Sequence, residues 1–165
     1  MTRLTSLLTV AIAAAAIAAG CGDDEESSGS GASVSVTTSS LSAEEYAKKA
    51  DELCQREREK IPTRVEAYQR RNKPAKGKPA DVVYAETIQA ALVPYLEEEL
   101  EKLRALGAPE GDEETVEAIL TAQQEAIDEV TVLKTLSNQE GALESHFSEA
   151  NELMRDYGIE ECTAR

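Results

Sequence analysis

From Ser42 to Tyr157 the apolar residues recur at intervals of three and four in successive stretches separated by proline- or glycine-containing breaks, a period that fits helices and not strands. Ser42-Ala43-Glu44-Glu45 forms a capping box, in which the serine hydroxyl accepts from the backbone three residues on while Glu45 reaches back. A first helix therefore starts there. Its stripe runs through Ala43, Tyr46, Ala47, Ala50, Leu53, Cys54, Ile61, Val65 and Tyr68, and Glu44/Lys48, Glu45/Lys49 and Glu52/Arg56 form supportive pairs outside it. Pro62 lacks the backbone donor and predicts a kink or a division. A second helix spans 81–106 through Val82, Ala85, Ile88, Leu92, Tyr95, Leu96, Leu100, Leu103 and Leu106, with a bend at Pro94. Gly107-Ala108-Pro109-Glu110-Gly111 is a stop and turn, after which Asp112 is placed to cap a third helix with a stripe from Val116 to Leu136. Ser137 to Gly141 makes the next turn. The fourth helix carries Leu143, Phe147, Ala150, Leu153, Met154 and Tyr157, and ends at Gly158, with Ile159 folding back on Met154. Residues 42–165 make one all-α domain, and short connections between four such helices give an up-down antiparallel four-helix bundle as the simplest arrangement.

The N-terminus carries a different signal. Arg3 precedes an apolar stretch of 16 residues, Leu4 to Ala19, which is shorter than the roughly 20 residues of a membrane span and ends in small residues. Residues 1–20 read as an export signal. Ala18-Ala19-Gly20-Cys21 resembles the lipobox of bacterial lipoproteins, although Ala18 stands where leucine is commonest. The resemblance implies cleavage before Cys21, a diacylglycerol thioether on its sulfur and usually a third acyl chain on its amine. The mature protein would then be held at the outer face of the cytoplasmic membrane. Cleavage after Ala16-Ile17-Ala18 by ordinary signal peptidase, releasing a soluble protein, is the alternative. Residues 21–41 form the lipidated cysteine and a disordered tether, opening with Asp23-Asp24-Glu25-Glu26 and continuing in Ser, Thr, Gly and Val without an apolar period.

With 3 cysteines in the chain and Cys21 assigned to lipid, Cys54 and Cys162 have one possible pairing. In an up-down bundle the end of the fourth helix packs near the start of the first, so topology and cysteine positions agree on a structural disulfide; a redox pair is the less favoured reading in the absence of a Cys-x-x-Cys motif. The chain resembles a group of small, functionally uncharacterised lipoproteins of high-GC actinobacteria. The resemblance rests on Ile17-Ala18-Ala19-Gly20-Cys21, Ala50-Asp51-Glu52-Leu53-Cys54, Leu103-Arg104-Ala105-Leu106 and Tyr157-Gly158-Ile159-Glu160-Glu161-Cys162. It implies location and fold, and no catalytic residue.

The formal net charge of −15 argues against nucleic acid as a partner, because phosphate neutralisation needs a basic face. His146 is the single histidine and lacks a glutamate three residues before it, so it reads as a boundary residue without a chemical role. The acidic runs around Glu97, Glu125 and Glu160 lack the alternating ligand spacing of a calcium loop and read as solvated faces. No cofactor or metal is expected. Arg70, Arg71, Lys73, Lys76 and Lys78 put five cations into nine residues without an acid, a loop that either docks an anionic envelope component or simply solvates a connector. One His and thiols already assigned assemble no nucleophile, base and orienter, so the chain is not expected to be an enzyme. The function expected is a membrane-anchored, non-catalytic binding or scaffolding module of the cell envelope. The alternative is a carrier or sensor for a small apolar ligand or a cation, which would require a cavity lined by Tyr46, Tyr84, Tyr95 and Phe147 instead of a continuous core.

Overall fold

A computed structural model describes residues 37–163. The chain divides at residue 31, and every described residue lies in the second unit, 32–165. The export signal 1–20, Cys21 and the tether up to residue 36 lie outside the described residues.

The second unit is predominantly helical. Its helices are α1 (Ala43–Arg58), α2 (Ile61–Arg71), α3 (Ala80–Thr87), α4 (Val93–Ala105), α5 (Glu113–Val132) and α6 (Ser148–Tyr157). The capping box forms as its residues demand: the Glu45 amide donates to Ser42 Oγ at 3.3 Å and the Ser42 amide to Glu45 Oε2 at 2.9 Å. The Ser42 amide and, after it, the Ser42 hydroxyl donate to the Glu45 carboxylate and hold it below the usual carboxylate range. Pro62 divides the first helix and does not merely kink it. The chain leaves α1 at Glu59, turns through Lys60, and restarts with Pro62 in the first turn of α2, where a missing amide donor costs nothing.

Pro94 acts differently. It too sits in the first turn of a helix, α4, but the preceding residues Ile88–Leu92 form a π-helical turn that joins α3 to α4 without a break. The Val93 amide reaches back to the Ile88 carbonyl, so the wider turn absorbs the bend expected at the proline. On this turn, Gln89 donates from Nε2 to the carbonyls of Val130 and Leu133, satisfying the C-terminal end of α5, whose last turn holds no basic residue.

Three expectations need correction. The third helix stops at Val132, short of Leu136, which is nevertheless buried and donates its amide to the Asp81 carbonyl. The fourth begins as a 3-10 turn at Glu144–Phe147 before α6. Asp112 makes no side-chain cap to α5; its carboxylate accepts the Tyr157 hydroxyl at 2.7 Å, while Glu113 accepts the amide of Gly111, in the turn before the helix, at 2.8 Å. At the other end of α6 the local reading holds. Gly158 is left-handed at φ 91°, and the amides of Ile159 and Gly158 return to the carbonyls of Met154 and Arg155.

The stretch expected to be tether up to residue 41 joins the fold before its end. β1 (Thr38–Ser39) pairs in parallel with β2 (Ala108–Pro109), and Leu41 packs against the core. The contact is close at Gly107, which has φ 69° and a backbone that leaves only 2.8 Å between an added Cβ and the Thr37 carbonyl oxygen. Gly107→Ala therefore has to accept a left-handed backbone and displace this strand; we expect it to lower unfolding free energy by about 1–2 kcal/mol, measured by urea denaturation. A stability equal to that of the parent chain would show that the strand is not held there.

The core is one cluster to which α1, α4, α5 and α6 each contribute, with Tyr46, Phe147, Leu100, Leu120, Ile127 and Met154 among its fully buried members. α4 packs on α1 and α5, and α5 on α6. The chain end then returns to α1. The amides of Glu160 and Glu161 donate to Asp51 Oδ1 at 3.0 and 2.7 Å, Arg58 pairs with Glu161 at 3.0 Å, and Cys54 is bonded to Cys162. Two of the motifs noted in the sequence, Ala50 to Cys54 and Tyr157 to Cys162, thus meet in space.

Candidate functional site

α2 contributes no fully buried residue, although its apolar positions Ile61, Val65 and Tyr68 are half-buried. Eleven residues are too few for an isolated helix to persist in water, so contact with the rest of the protein must hold it. The contact is not close-packed. Beneath Ile61 and Val65 lies a cavity of about 300 Å³, walled on the opposite side by Ile88 and Leu92 of the π-helical turn and by Tyr95 and Leu96 of α4. Tyr84 and Thr87 of α3, Leu143, Phe147 and the Cys54 end of the disulfide complete most of the lining. Its size and apolar walls are those of a small-molecule site, at the lower end of the usual range.

The polar groups at the wall are few and fixed. Tyr95 donates from its hydroxyl to Glu99 Oε2 at 2.7 Å, both residues being buried. Thr87 donates to the Val83 carbonyl at 2.8 Å. Arg58, Glu161 and Gln69 also line the cavity; Glu161 and Gln69 are exposed and so mark its rim.

What holds α2 over this space is polar. Arg64 makes a two-pronged contact with Glu98 on α4 at 3.2 and 2.7 Å, and its guanidinium lies 5.8 Å from the centre of the Tyr95 ring. The pairing holds the Glu98 carboxyl below the usual range and raises Arg64. Near the start of α2, Glu57 is buried and receives Lys60 at 2.7 Å and Lys102 at 3.0 Å, with the Lys60 bond the main cause of its lowered pKa. A helix fixed by exposed ion pairs and half-buried side chains opens more easily than one locked into a core.

Three of the four aromatic residues expected around a cavity, Tyr84, Tyr95 and Phe147, line this one. Tyr46 does not; it packs edge-on against Tyr157, with ring centres 5.8 Å apart. The five cations of the basic segment are all exposed but do not converge as a group. Arg70 turns to Glu66 at 3.4 Å, and Lys76 has no ion-pair partner among the described residues. Arg71, Lys73 and Lys78 instead line a second, polar hollow between the end of α2 and α3, where Lys78 donates to both oxygens of Glu86 at 2.8 and 2.9 Å. Thr87 lines both this hollow and the apolar cavity.

His146 sits at the boundary of α5, its Nδ1 3.0 Å from Glu129 Oε1. Among the described residues no three His, Cys, Asp or Glu side chains come together as a metal site, and no helix is long and apolar enough to cross a membrane. Cys21 lies outside the described residues.

Sequence reasoning missed the residues of α2. Ile61 and Val65 were assigned to the core stripe of a long helix, and only the position of Pro62 two residues into a new helix indicated that this turn could stand apart. Set against models of known protein families, curated proteins and solved structures, the chain matches none.

Proposed function

We propose that this chain is a membrane-anchored lipoprotein of the bacterial cell envelope whose helical domain carries a small apolar ligand. Its anchor would be Cys21, tethered through the acidic and serine-rich stretch to the domain, which would lie at the outer face of the cytoplasmic membrane. In this reading α1 with α2, α3 with α4, α5 and α6 form the four arms of an up-down bundle, with α2 as its removable wall.

The observation that carries the proposal is the apolar cavity of about 300 Å³ beneath a helix with no fully buried residue. A scaffolding module has no use for such a space, which forfeits packing contacts and lowers stability. A carrier needs it. The same walls support a non-catalytic role: the Tyr95 phenol is bonded to Glu99, the Thr87 hydroxyl to a backbone carbonyl and Arg58 to Glu161, and the sulfur at the wall belongs to a disulfide.

Binding of dodecanol to the oxidised, unlipidated full-length chain, read by displacement of a fluorescent apolar probe, tests this directly. Ile88→Trp fills the cavity and should weaken dodecanol at least about tenfold, the loss of roughly 1.4 kcal/mol or more of apolar contact. Because the N-terminal apolar segment is present in both proteins, only the difference between them reports the cavity. Equal affinity would refute the proposal.

A further inference from the structure

Two hollows of opposite character adjoin one another across the seam between α2 and α3. One is the apolar cavity; the other is the polar hollow bordered by Arg71, Lys73 and Lys78, and Thr87 stands in the wall of both. The sequence places these cations in a segment free of acids, within a chain of net charge −15. A positive hollow against that background attracts an anion to one place on the surface and repels it elsewhere.

Resting on the carrier reading, we infer that the ligand is an anionic single-chain amphiphile, its hydrocarbon chain in the cavity and its phosphate or carboxylate head over Arg71, Lys73 and Lys78. Glu86 is the acid in this hollow, and Lys78 occupies both of its oxygens. Lys73 has no ion-pair partner among the described residues and is exposed. Arg71 donates from Nε to the Ala67 carbonyl at 3.1 Å, which orients the guanidinium and leaves its other donors for a head group. A neutral alcohol of the same length would use the cavity alone. A cationic amphiphile would set like charges together over the hollow.

The test compares dodecyl phosphate, dodecanoate, dodecanol and dodecyltrimethylammonium on the oxidised, unlipidated full-length chain, at low and moderate salt. We expect both anions to bind more tightly than the alcohol, the ammonium compound most weakly, and the anion preference to shrink as salt rises. Replacing Arg71, Lys73 and Lys78 together by Gln should weaken the anions by about tenfold, the combined effect of three exposed charge contacts, and leave dodecanol unchanged. A preference for phosphate over carboxylate, or the reverse, then identifies the head. Ile88→Trp, or Val65→Trp on the half-buried face of α2 if the first fails to fold, should abolish all of it. If dodecanol binds and responds to Ile88→Trp while the triple replacement leaves the anions unaffected, the amphiphile inference is overturned and the carrier survives. If nothing responds to filling the cavity, both fall.

Discussion

Replacing Cys54 and Cys162 together by Ala is expected to remove about 4–5 kcal/mol of unfolding free energy, the largest loss of any change considered for this chain. The magnitude follows from the separation of 108 residues between the two sulfurs, because a crosslink restricts the unfolded chain more the longer the loop it closes. A domain of this length has about 6–19 kcal/mol in hand, so the loss is a quarter to most of it. The midpoint of thermal unfolding should fall by on the order of 15 °C. Urea titration with near- and far-ultraviolet circular dichroism measures both the loss and its cooperativity. The disulfide also joins α1 to the chain end that carries Glu161, so its removal leaves the return segment held by the buried Ile159 and, as polar contacts, by two amide bonds to Asp51 and the exposed Arg58–Glu161 pair. Those polar contacts are exposed and individually weak. Because Cys54 stands in the cavity wall, the double variant should also bind dodecanol less tightly. A loss below about 1 kcal/mol would mean that the local bonds suffice and the crosslink is incidental.

What the sequence discloses here is local or topological, and what it hides depends on distant partners. The Ser42–Glu45 box and the Gly158–Ile159 ending each involve residues within six positions of one another, so the side chains that decide them are visible in a short window. The Cys54–Cys162 bond is distant, but once one thiol was set aside there was only one pairing to make. Asp112 shows the opposite case. Its sequence context is that of an N-cap, and a tyrosine 45 residues away claims the carboxylate instead. The pairing of 38–39 with 108–109 is two residues long and carries no period at all. The cavity is hidden for a deeper reason. A stripe of apolar residues identifies which side chains leave water, but Ile61 and Val65 read the same whether a neighbour fills the space beneath them or not. Tyr46 and Tyr95 both lie on apolar stripes and read alike in the sequence; only the packing of α6 assigns Tyr46 to Tyr157. The basic segment was legible as an anomaly of charge, while its geometry, three cations around one hollow and two outside its lining, needed α2 and α3 to be in place.

Between pH 10 and pH 12 the protein should lose stability steeply, and Tyr46 should account for the largest single part. Tyr46 is 1% exposed, and burial pushes its phenol up to about 12. Its neighbour Tyr157 is raised as well, first by burial and then by the bond to the Asp112 carboxylate, which would oppose a phenolate. In the unfolded chain a tyrosine titrates near 10. Below that value both states keep the proton and pH has no leverage. Above it the unfolded state releases a proton that the folded state retains, so stability falls by about 1.4 kcal/mol per pH unit for each such group until the folded phenol also ionises. For Tyr46 this amounts to about 2–3 kcal/mol across the window. Tyr157 is partly exposed and adds less. Other charged groups of the chain change state at alkaline pH as well, so the parent profile alone does not isolate the phenol. Tyr46→Phe does: urea midpoints measured from pH 9 to pH 12 should show a slope about 1.4 kcal/mol per unit shallower than the parent, with little change at neutral pH, where the phenol is protonated in both states. Tyr157→Phe should flatten the profile less and should cost about 1 kcal/mol at neutral pH through the lost bond to Asp112. A slope in Tyr46→Phe equal to that of the parent would place the alkaline transition elsewhere, and the tight seat between α1 and α6 would then have no part in it.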